Sequence, residues 1–148
     1  MPQSLTQLLV HTIFSTKDRA PLIADDWRPD LHAYIGGILR NRKCDLLAAG
    51  GVEDHIHLLI RMATTISIAD MIRDVKSNSS AWRHENGDSK FAWQSGYGVF
   101  SVDQPMVGPL VAYIADQRVH HRKVTFQEEY TAFLKKHEME FDERYMWD

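Results

Sequence analysis

A His-hydrophobe-His triplet, His55-Ile56-His57, has the residue types and spacing best suited to chemistry in this chain. The apolar residues around it alternate with a period of two, which predicts a β-strand. Residues two apart on a strand project from the same face of the sheet. Two neutral imidazoles placed side by side can bind one divalent metal ion, and such an ion is a Lewis acid for phosphate chemistry. The triplet therefore predicts a metal site on one face of a sheet.

A second group with chemical potential lies in a later segment that has helical periodicity. Tyr113 and Gln117 are four residues apart and share a helix face, whereas Val111, Ile114 and Ala115 fall on the opposite side. Tyrosine can act as a covalent nucleophile on phosphorus. The amide oxygen of Gln117 could be a third ligand to the metal, which leaves coordination positions for phosphate oxygens and water.

Each of these patterns also has an ordinary structural interpretation. A chain with eight histidines can contain a His-x-His pair by chance. The pair of Tyr113 and Gln117 alone fits an amphipathic surface helix. His120 and His121 fit the C-terminal end of a helix, where imidazoles interact favourably with the last carbonyls. His11 is either a neighbour of the site or a surface residue. A shared site is favoured because all of these residues fall on one predicted surface.

The hydrophobic pattern also predicts the elements that position these residues. Strands are predicted at residues 6–16, 44–49, 55–62 and 91–102, with a tight hairpin at Gly50-Gly51. A first helix is predicted after an N-cap at Asp25 or Asp26, and a second after Ser67. A third helix starts near residues 105–109 and runs to about residue 122. A fourth is capped by Thr125.

The order of these elements, β-α-β-β-α-β-α-α, predicts an α+β fold. Its core is a ferredoxin-like (RRM-like) antiparallel sheet with helices on one face, and a C-terminal helical extension carries the tyrosine. In the histidine strand, Ile56, Leu58 and Ile60 should face the helices. The histidines should then lie on the other face, which we expect to be open to ligands. Four apolar residues of the C-terminal tail are expected to dock on the domain: Phe141, Tyr145, Met146 and Trp147.

Length and composition predict one domain over residues 1–148 in a reducing, cytoplasmic location. A single cysteine, Cys44, excludes an internal disulfide. No stretch approaches the roughly 20 apolar residues of a membrane span, so we expect no membrane partner. The net charge of −3 does not indicate a nucleic-acid binder. Basic residues nevertheless cluster at residues 40–43 and 118–123, and local patches of this kind can bind phosphates.

Several separate segments, in order, resemble a known family. They are residues 11–17 (HTIFSTK), 51–59 (GVEDHIHLL), 76–80 (KSNSS), 91–98 (FAWQSGYG), 113–123 (YIADQRVHHRK) and 126–130 (FQEEY). Together they resemble the single-tyrosine transposases of the HUH superfamily, which move insertion sequences as single-stranded DNA and include the REP-associated tyrosine transposases. The resemblance covers nearly the whole chain.

The resemblance implies roles for particular residues. By position, His55 and His57 match the metal-binding histidines, Tyr113 matches the nucleophile, and Gln117 matches a third metal ligand on the same helix. The family fold is ferredoxin-like, and its transposases are homodimers in which the tyrosine helix can complete the partner's active site. Gly108 and Pro109 lie where such a mobile helix would hinge.

The activity implied is cleavage and rejoining of single-stranded DNA beside hairpins. Tyr113 would attack a metal-polarised phosphate and form a 5′-phosphotyrosine link with a free 3′-hydroxyl. Mg²⁺ and Mn²⁺ both suit this chemistry, and imidazole ligands favour Mn²⁺. Two alternatives are a domesticated, non-catalytic DNA-hairpin-binding protein and a metal-dependent phosphoesterase that uses water and does not need Tyr113.

Contacts with DNA phosphates are predicted for seven basic residues, namely Arg40, Arg42, Lys43, Lys76, Arg118, Arg122 and Lys123. Trp93 and Tyr97 could stack on unpaired bases. For Trp93, packing in the core is the favoured interpretation.

Overall fold

A four-stranded antiparallel sheet organises the computed structural model, which describes residues 2–121 and 123–148. The strands are β1 (Leu9–Ser15), β2 (Asp45–Gly51), β3 (His55–Arg61) and β4 (Gly98–Val102). They lie in the order β2-β3-β1-β4, with every neighbouring pair antiparallel. This is the ferredoxin-like arrangement predicted from the order of elements, and the histidine strand β3 lies at its centre.

Five helices accompany the sheet in the described part of the chain. They are α1 (Arg28–Asn41), α2 (Ile68–Glu85), α3 (Val107–Ala115), α4 (Gln117–His120) and α5 (Phe126–Lys136). Short 3₁₀ turns precede α1 and α3, at Lys17–Arg19 and Gln104–Met106. None of the helices in the described ranges has the length and apolarity needed to cross a bilayer.

The predicted caps of α2 and α5 are confirmed, whereas that of α1 is wrong. The Ser67 hydroxyl accepts a hydrogen bond from the Asp70 amide at 3.1 Å. Thr125 accepts from the Glu128 amide at 3.1 Å, and its hydroxyl donates to the Glu128 carboxylate at 3.0 Å. Each such cap satisfies an N-terminal amide that has no intrahelical partner. In α1 the N-cap is Trp27, which makes no side-chain capping bond.

One face of the sheet packs against α1 and α2, as the alternation in β1 and β3 predicted. Side chains from alternate strand positions, with those from the two helices, form the main core, which includes Val10, Phe14, Ile56, Leu58, Ile60, Leu31, Ile35, Leu39, Met71, Ile72 and Val75. Full burial of one such side chain stabilises the fold by about 1.5–3 kcal/mol. The core therefore fixes which way β3 faces, and the histidines must project to the opposite side.

The opposite face is covered by the C-terminal helices, so the expectation of an open histidine face is wrong. Phe126, Tyr130 and Leu134 recur at intervals of four in α5 and pack on Ile13 and Phe100 of the sheet in a second core. A stripe of this spacing is a buried helix face. From the tail, Phe141, Met146 and Trp147 pack against this core, as predicted. Tyr145 is 64% exposed, contrary to the prediction.

Two strand predictions need correction. Residues 91–97 leave the sheet after one bridge, between Thr16 and Trp93, and β4 begins only at Gly98. The reason is a set of side-chain hydrogen bonds. The Gln94 side chain accepts a hydrogen bond from the Ser15 amide at 2.8 Å, and the Lys76 ammonium donates to the carbonyls of residues 94–96. Gly50 and Gly51 belong to β2, and the hairpin turn is formed by residues 52–54.

The predicted third helix is also broken, at Asp116, which has φ −101° and ψ 22°. The tyrosine therefore belongs to α3 and Gln117 to α4. The close approach of α3 to β2 explains why residue 50 is a glycine. A Cβ atom at this position would lie only 2.9 Å from the carbonyl carbon of Ile114.

Candidate active site

His55 and His57 lie next to each other beneath the C-terminal helices. Both are at most 1% exposed, and their ring centroids are 5.3 Å apart. His57 Nδ1 is 2.8 Å from Nε2 of His11 on β1, whose pKa burial lowers to about 3. His11 is therefore a buried neighbour of the site. The side chains share a face because β3 alternates, and their orientation is fixed because the other face belongs to the main core.

The helices α3 and α4 bring Gln117 and Tyr113 to these histidines. Gln117 is 1% exposed, and its Oε1 lies 3.2 Å from His55 Nε2 and 2.9 Å from His121 Nε2. Its side-chain amide donates to the Tyr113 carbonyl at 3.3 Å. The Tyr113 ring is half-buried, with its centroid 5.8 Å from that of His57 in the same chain. The structure thus brings together all four residues predicted for the site.

Glu129 on α5 completes the cluster, although the sequence had not indicated it. The residue is 3% exposed. Its Oε1 lies 2.9 Å from His57 Nε2, 3.3 Å from His121 Nε2 and 3.7 Å from His55 Nε2. Its Oε2 accepts a hydrogen bond from the Tyr113 hydroxyl and lies 3.1 Å from His120 Nε2. One carboxylate therefore spans the imidazole cluster and the phenol.

The protonation equilibria of the cluster follow from burial and from this carboxylate. Burial alone would raise the pKa of Glu129, but hydrogen bonds from His121 and His57 outweigh burial and lower it, so the carboxylate is ionised. Burial lowers the pKa of His57 in spite of its bond to Glu129. At His121 the Glu129 carboxylate prevails over burial, and the pKa is raised. Burial and then the Glu129 carboxylate raise the pKa of the Tyr113 phenol, which stays protonated at rest.

The cluster has the donor set of a divalent metal site. Ligand atoms of His55, His57, His121 and Glu129 all lie within 4.8 Å of one another. For bonds of about 2.1 Å, neighbouring ligands of one metal are separated by roughly 3.0–3.4 Å. The nitrogen–oxygen distances around Glu129 Oε1, from 2.9 to 3.7 Å, are close to this range. Imidazole and carboxylate ligands suit Mn²⁺, Fe²⁺ and Zn²⁺.

The far nitrogen of each histidine supports the same interpretation. His55 Nδ1 lies 2.7 Å from the Asp54 carboxylate, and His121 Nδ1 lies 2.7 Å from the Val124 carbonyl. His57 Nδ1 is held by His11, as described above. Histidines that bind metals usually have the second nitrogen engaged in this way, because the bond fixes the tautomer and the ring orientation. All three Nε2 atoms are consequently turned toward one point.

Two members of this cluster, His121 and Glu129, were not predicted. For His121 the sequence favours an interaction at the end of a helix. Glu129 stands between Phe126 and Tyr130, both on the buried face of α5, and an acidic residue on an apolar helix face was the sequence feature that could have revealed it.

The predicted DNA contacts lie in different environments. Arg40, Lys43 and Lys123 are exposed. Arg42 is paired with Asp74 at 2.6 Å and Arg118 with Asp25, both at the surface. Arg122 lies outside the described residues.

Lys76 and the two aromatic candidates are placed more definitely. The Lys76 ammonium donates to the carbonyls of Gln94, Ser95 and Gly96 at 2.8, 3.2 and 2.7 Å, and burial lowers its pKa to about 8. Its donors hold a loop, so a role in binding DNA stays a prediction. Trp93 is buried in the main core, as favoured, whereas Tyr97 is 40% exposed.

The fold and the site together define a class of protein: a ferredoxin-like α+β protein with a histidine–carboxylate centre beside a protonated tyrosine. The sequence model of the family described as "Transposase IS200 like" matches residues 4–117. The chain belongs to this family of DNA transposases, and the family together with the histidine–glutamate cluster indicates a divalent metal. No curated protein matches the chain.

Solved structures that share its fold include the following two. One is from Deinococcus radiodurans R1 and is described as a candidate transposase; it has a TM-score of 0.64 and 21% identity, covering 77% of this chain and 93% of that chain. The other is a REP-associated tyrosine transposase bound to a REP hairpin, with a TM-score of 0.62 and 16% identity, covering 90% of this chain and 86% of that chain. At these identities the likeness shows the fold.

Proposed function

We propose that this protein is a transposase that cleaves and rejoins single-stranded DNA through a covalent bond to Tyr113. The observation that carries the proposal is the contact of Tyr113 with the metal-type cluster through Glu129. A water-dependent phosphoesterase has no need of a phenol held at this place. A divalent cation bound by His55, His57 and Gln117, Mn²⁺ or Mg²⁺, would act as a Lewis acid on the scissile phosphate.

The chain's own groups account for the nucleophile. The Tyr113 hydroxyl donates its hydrogen to Glu129 Oε2, so its lone pairs are free to approach phosphorus. As the tyrosine oxygen bonds to phosphorus, its proton passes to Glu129 Oε2 and the bond from phosphorus to the 3′ oxygen breaks. That oxygen takes a proton from water and leaves as a 3′-hydroxyl. The 5′ phosphate stays on the tyrosine, and the energy of the cleaved bond is kept for rejoining.

DNA beside hairpins is the substrate that we propose, because the REP-associated transposase that shares this fold is bound to a REP hairpin. Six of the seven basic residues predicted from the sequence are proposed as phosphate contacts; the seventh, Lys76, donates to three loop carbonyls, and its contact with DNA stays a prediction. Exposed Arg40, Lys43 and Lys123 are free to act in this way in the described structure.

The test is a denaturing gel with hairpin-containing single strands from the DNA that flanks the gene, with Mn²⁺ or with EDTA. We expect a metal-dependent band of slower mobility that Tyr113→Phe abolishes without loss of hairpin binding. Tyr145→Phe is the matched control, because Tyr145 is 64% exposed on the tail. An adduct that survives in Tyr113→Phe would refute the assignment. Binding without adduct would indicate a domesticated hairpin-binding protein, and metal-dependent hydrolysis without adduct a phosphoesterase.

A homodimer is also proposed, with each tyrosine acting in its own chain; the contact of Tyr113 with Glu129 within one chain supports this arrangement. Mixing His57→Ala with Tyr113→Phe tests this arrangement. If each chain holds a whole site, no mixture of the two variants forms the adduct. Recovery of the adduct in the mixture would mean that the tyrosine helix is exchanged between subunits.

A further inference from the structure

We infer that Glu129 is a metal ligand through Oε1 and, through Oε2, the residue that positions Tyr113. The first half of this inference is independent of the reaction, whereas the second rests on the proposed function. Glu129 and His121 both lie beyond residues 4–117, the segment that the family model matches. The inference therefore concerns a part of the site supplied by the C-terminal segment of this chain.

The first argument is the burial of the carboxylate. A carboxylate removed from water is costly unless charged or hydrogen-bonding partners compensate it. Glu129 is 3% exposed, and its ionic partners among the described residues are His55, His57, His120 and His121. Three of these imidazoles converge on the same oxygen, Oε1. A carboxylate oxygen has two lone pairs in the plane, so three N–H donors at one oxygen would be unusual. Several imidazole nitrogens close to one carboxylate oxygen are common where all of them bind the same metal ion.

The second argument is the tautomer of the imidazoles. The Val124 carbonyl can only accept, so His121 Nδ1 carries a hydrogen and donates it at 2.7 Å. In the neutral ring, the form that binds a metal ion, Nε2 carries a lone pair, and it lies 2.9 Å from Gln117 Oε1 and 3.3 Å from Glu129 Oε1, so either a second proton or a metal ion must lie between Nε2 and these oxygens. His55 repeats the pattern, since its Nδ1 faces the Asp54 carboxylate at 2.7 Å and its Nε2 faces Gln117 Oε1 at 3.2 Å.

Lone pairs pointed at oxygen atoms repel each other unless a cation lies between them. A single divalent ion would accept the lone pairs of His55, His121, Gln117 and Glu129 together. Without a metal ion, a separate proton would be needed on each imidazole ring. The geometry thus points to a centre in which Glu129 Oε1 is one of the ligands.

The third argument is the position of Oε2. Oε2 accepts a hydrogen bond from the Tyr113 hydroxyl. The two oxygens of one carboxylate keep a fixed distance from each other. Binding of Oε1 at the metal would therefore fix where the tyrosine oxygen lies relative to that metal. Nucleophile and Lewis acid would be held in register by one side chain, which is the pre-organisation that catalysis by positioning requires.

The test of the ligand role measures Mn²⁺ binding to the full chain, without DNA, by the loss of the free-ion EPR signal. We expect Glu129→Gln to weaken Mn²⁺ binding by at least about tenfold, since loss even of groups that only orient ligands costs roughly 10–100-fold. Glu128→Gln is the matched control, because it removes the same charge from an exposed neighbour, and glutamine preserves the Thr125 cap. We expect the control to bind Mn²⁺ within twofold of wild type. Circular dichroism verifies the fold of each variant.

The test of the positioning role uses Glu129→Asp, which keeps the charge and withdraws the carboxylate by one methylene. At saturating Mn²⁺ and DNA, we expect its rate of adduct formation to fall by about 100-fold while the Kd for hairpin DNA is unchanged. Tyr113→Phe should keep wild-type Mn²⁺ affinity, because the phenol is not a ligand.

The outcomes separate this inference from the proposed function. If Glu129→Gln binds Mn²⁺ as tightly as wild type while His57→Ala does not, Glu129 is not a ligand and the inference is overturned. If Glu129→Gln loses Mn²⁺ but wild type forms no adduct, the ligand role stands and the proposed function fails. A full rate in Glu129→Asp would overturn the positioning role alone.

Discussion

Replacing Gly50 by alanine tests whether the seating of α3 on β2 sets the rate of the reaction. Gly50 pairs with His57 across the β2–β3 ladder and lies directly under α3. A Cβ atom at residue 50 would lie 2.9 Å from both the carbonyl carbon and the Cγ2 atom of Ile114, and closer still to the carbonyl oxygen. Carbon atoms in good contact are about 3.5–4.0 Å apart. The helix and the strand must therefore separate by roughly 1 Å.

The displacement reaches the nucleophile because Ile114 is the next residue after Tyr113. A misplacement of about 1 Å can cost on the order of 100-fold in rate, which corresponds to about 2.7 kcal/mol of barrier. Overpacking of this kind also costs about 1–3 kcal/mol of stability. Among the proposed metal ligands, Gln117 follows α3 closely and moves with it, whereas His55, His57 and Glu129 lie on β3 and α5, so we expect Mn²⁺ affinity to fall less than the rate.

The assay is single-turnover formation of the covalent adduct at saturating Mn²⁺ and DNA, at a temperature where urea titration shows the variant to be folded. Gly37→Ala is the control, because it lies in α1 and a Cβ there meets nothing within 4 Å. Alanine in place of a helical glycine should be neutral or stabilising by about 0.5–1 kcal/mol. A folded Gly50→Ala protein that forms the adduct at the wild-type rate would refute the reasoning.

Four further predictions concern His32, Lys76, Lys123 and the choice of metal at the site. Burial, with a smaller contribution from Arg28, lowers the pKa of His32 to about 4, so between pH 6.5 and 4 the unfolded state binds more protons than the folded state. The free energy of unfolding should therefore fall as the pH decreases in this window, by up to about 1.4 kcal/mol per pH unit. Urea midpoints measure this dependence, and an equally steep dependence in His32→Leu would contradict the prediction. Lys76→Met should lower the melting temperature because three carbonyls lose their donor, yet leave the salt dependence of hairpin binding unchanged. If Lys123 contacts a phosphate, Lys123→Ala should instead reduce the slope of log K against log salt by about 0.7–0.9, and a reduced slope in Lys76→Met would assign that lysine to DNA as well. Zn²⁺ prefers four ligands, and the three histidines and the carboxylate of the site would supply all of them. Zn²⁺ should therefore displace Mn²⁺ and slow adduct formation, because no coordination position is left for the phosphate. An equal rate with Zn²⁺ would count against this ligand set.

The sequence predicted the fold well where local periodicity determines the outcome. Alternation in β3 separates Ile56 and Leu58 from the two histidines, and the structure has them on opposite faces. The caps at Ser67 and Thr125 lie within a few residues of the amides that they satisfy, so a short segment is enough to recognise them. The strand order followed from the order of elements, because few arrangements bury both helices on one sheet.

Prediction was poorer wherever two distant segments decide the structure. The start of β4 depends on Lys76, which holds carbonyls of the loop before that strand, about twenty positions further along the chain. Gly50 looked like a hairpin residue because nothing local reveals that α3 presses against β2. Glu129 was missed for the same reason: periodicity shows that α5 has a buried face, but not that this face lies over His57.

The site therefore depends on long-range assembly, and that has a thermodynamic consequence. Its inward-facing groups come from β3, from α3 with α4, and from α5, which meet only when the C-terminal helices cover the sheet. A cation that binds this assembled set and not the open one stabilises the covered state by RT ln(1 + [L]/Kd). Linkage is reciprocal, so a change that loosens α5, at Phe126 or Tyr130 for example, weakens metal binding in proportion to the fraction of chains in which the helix is no longer docked. Metal affinity is thus a measure of how firmly the helix that carries Glu129 is docked, and the apolar stripe of α5 belongs to the energetics of the site as much as its ligands do.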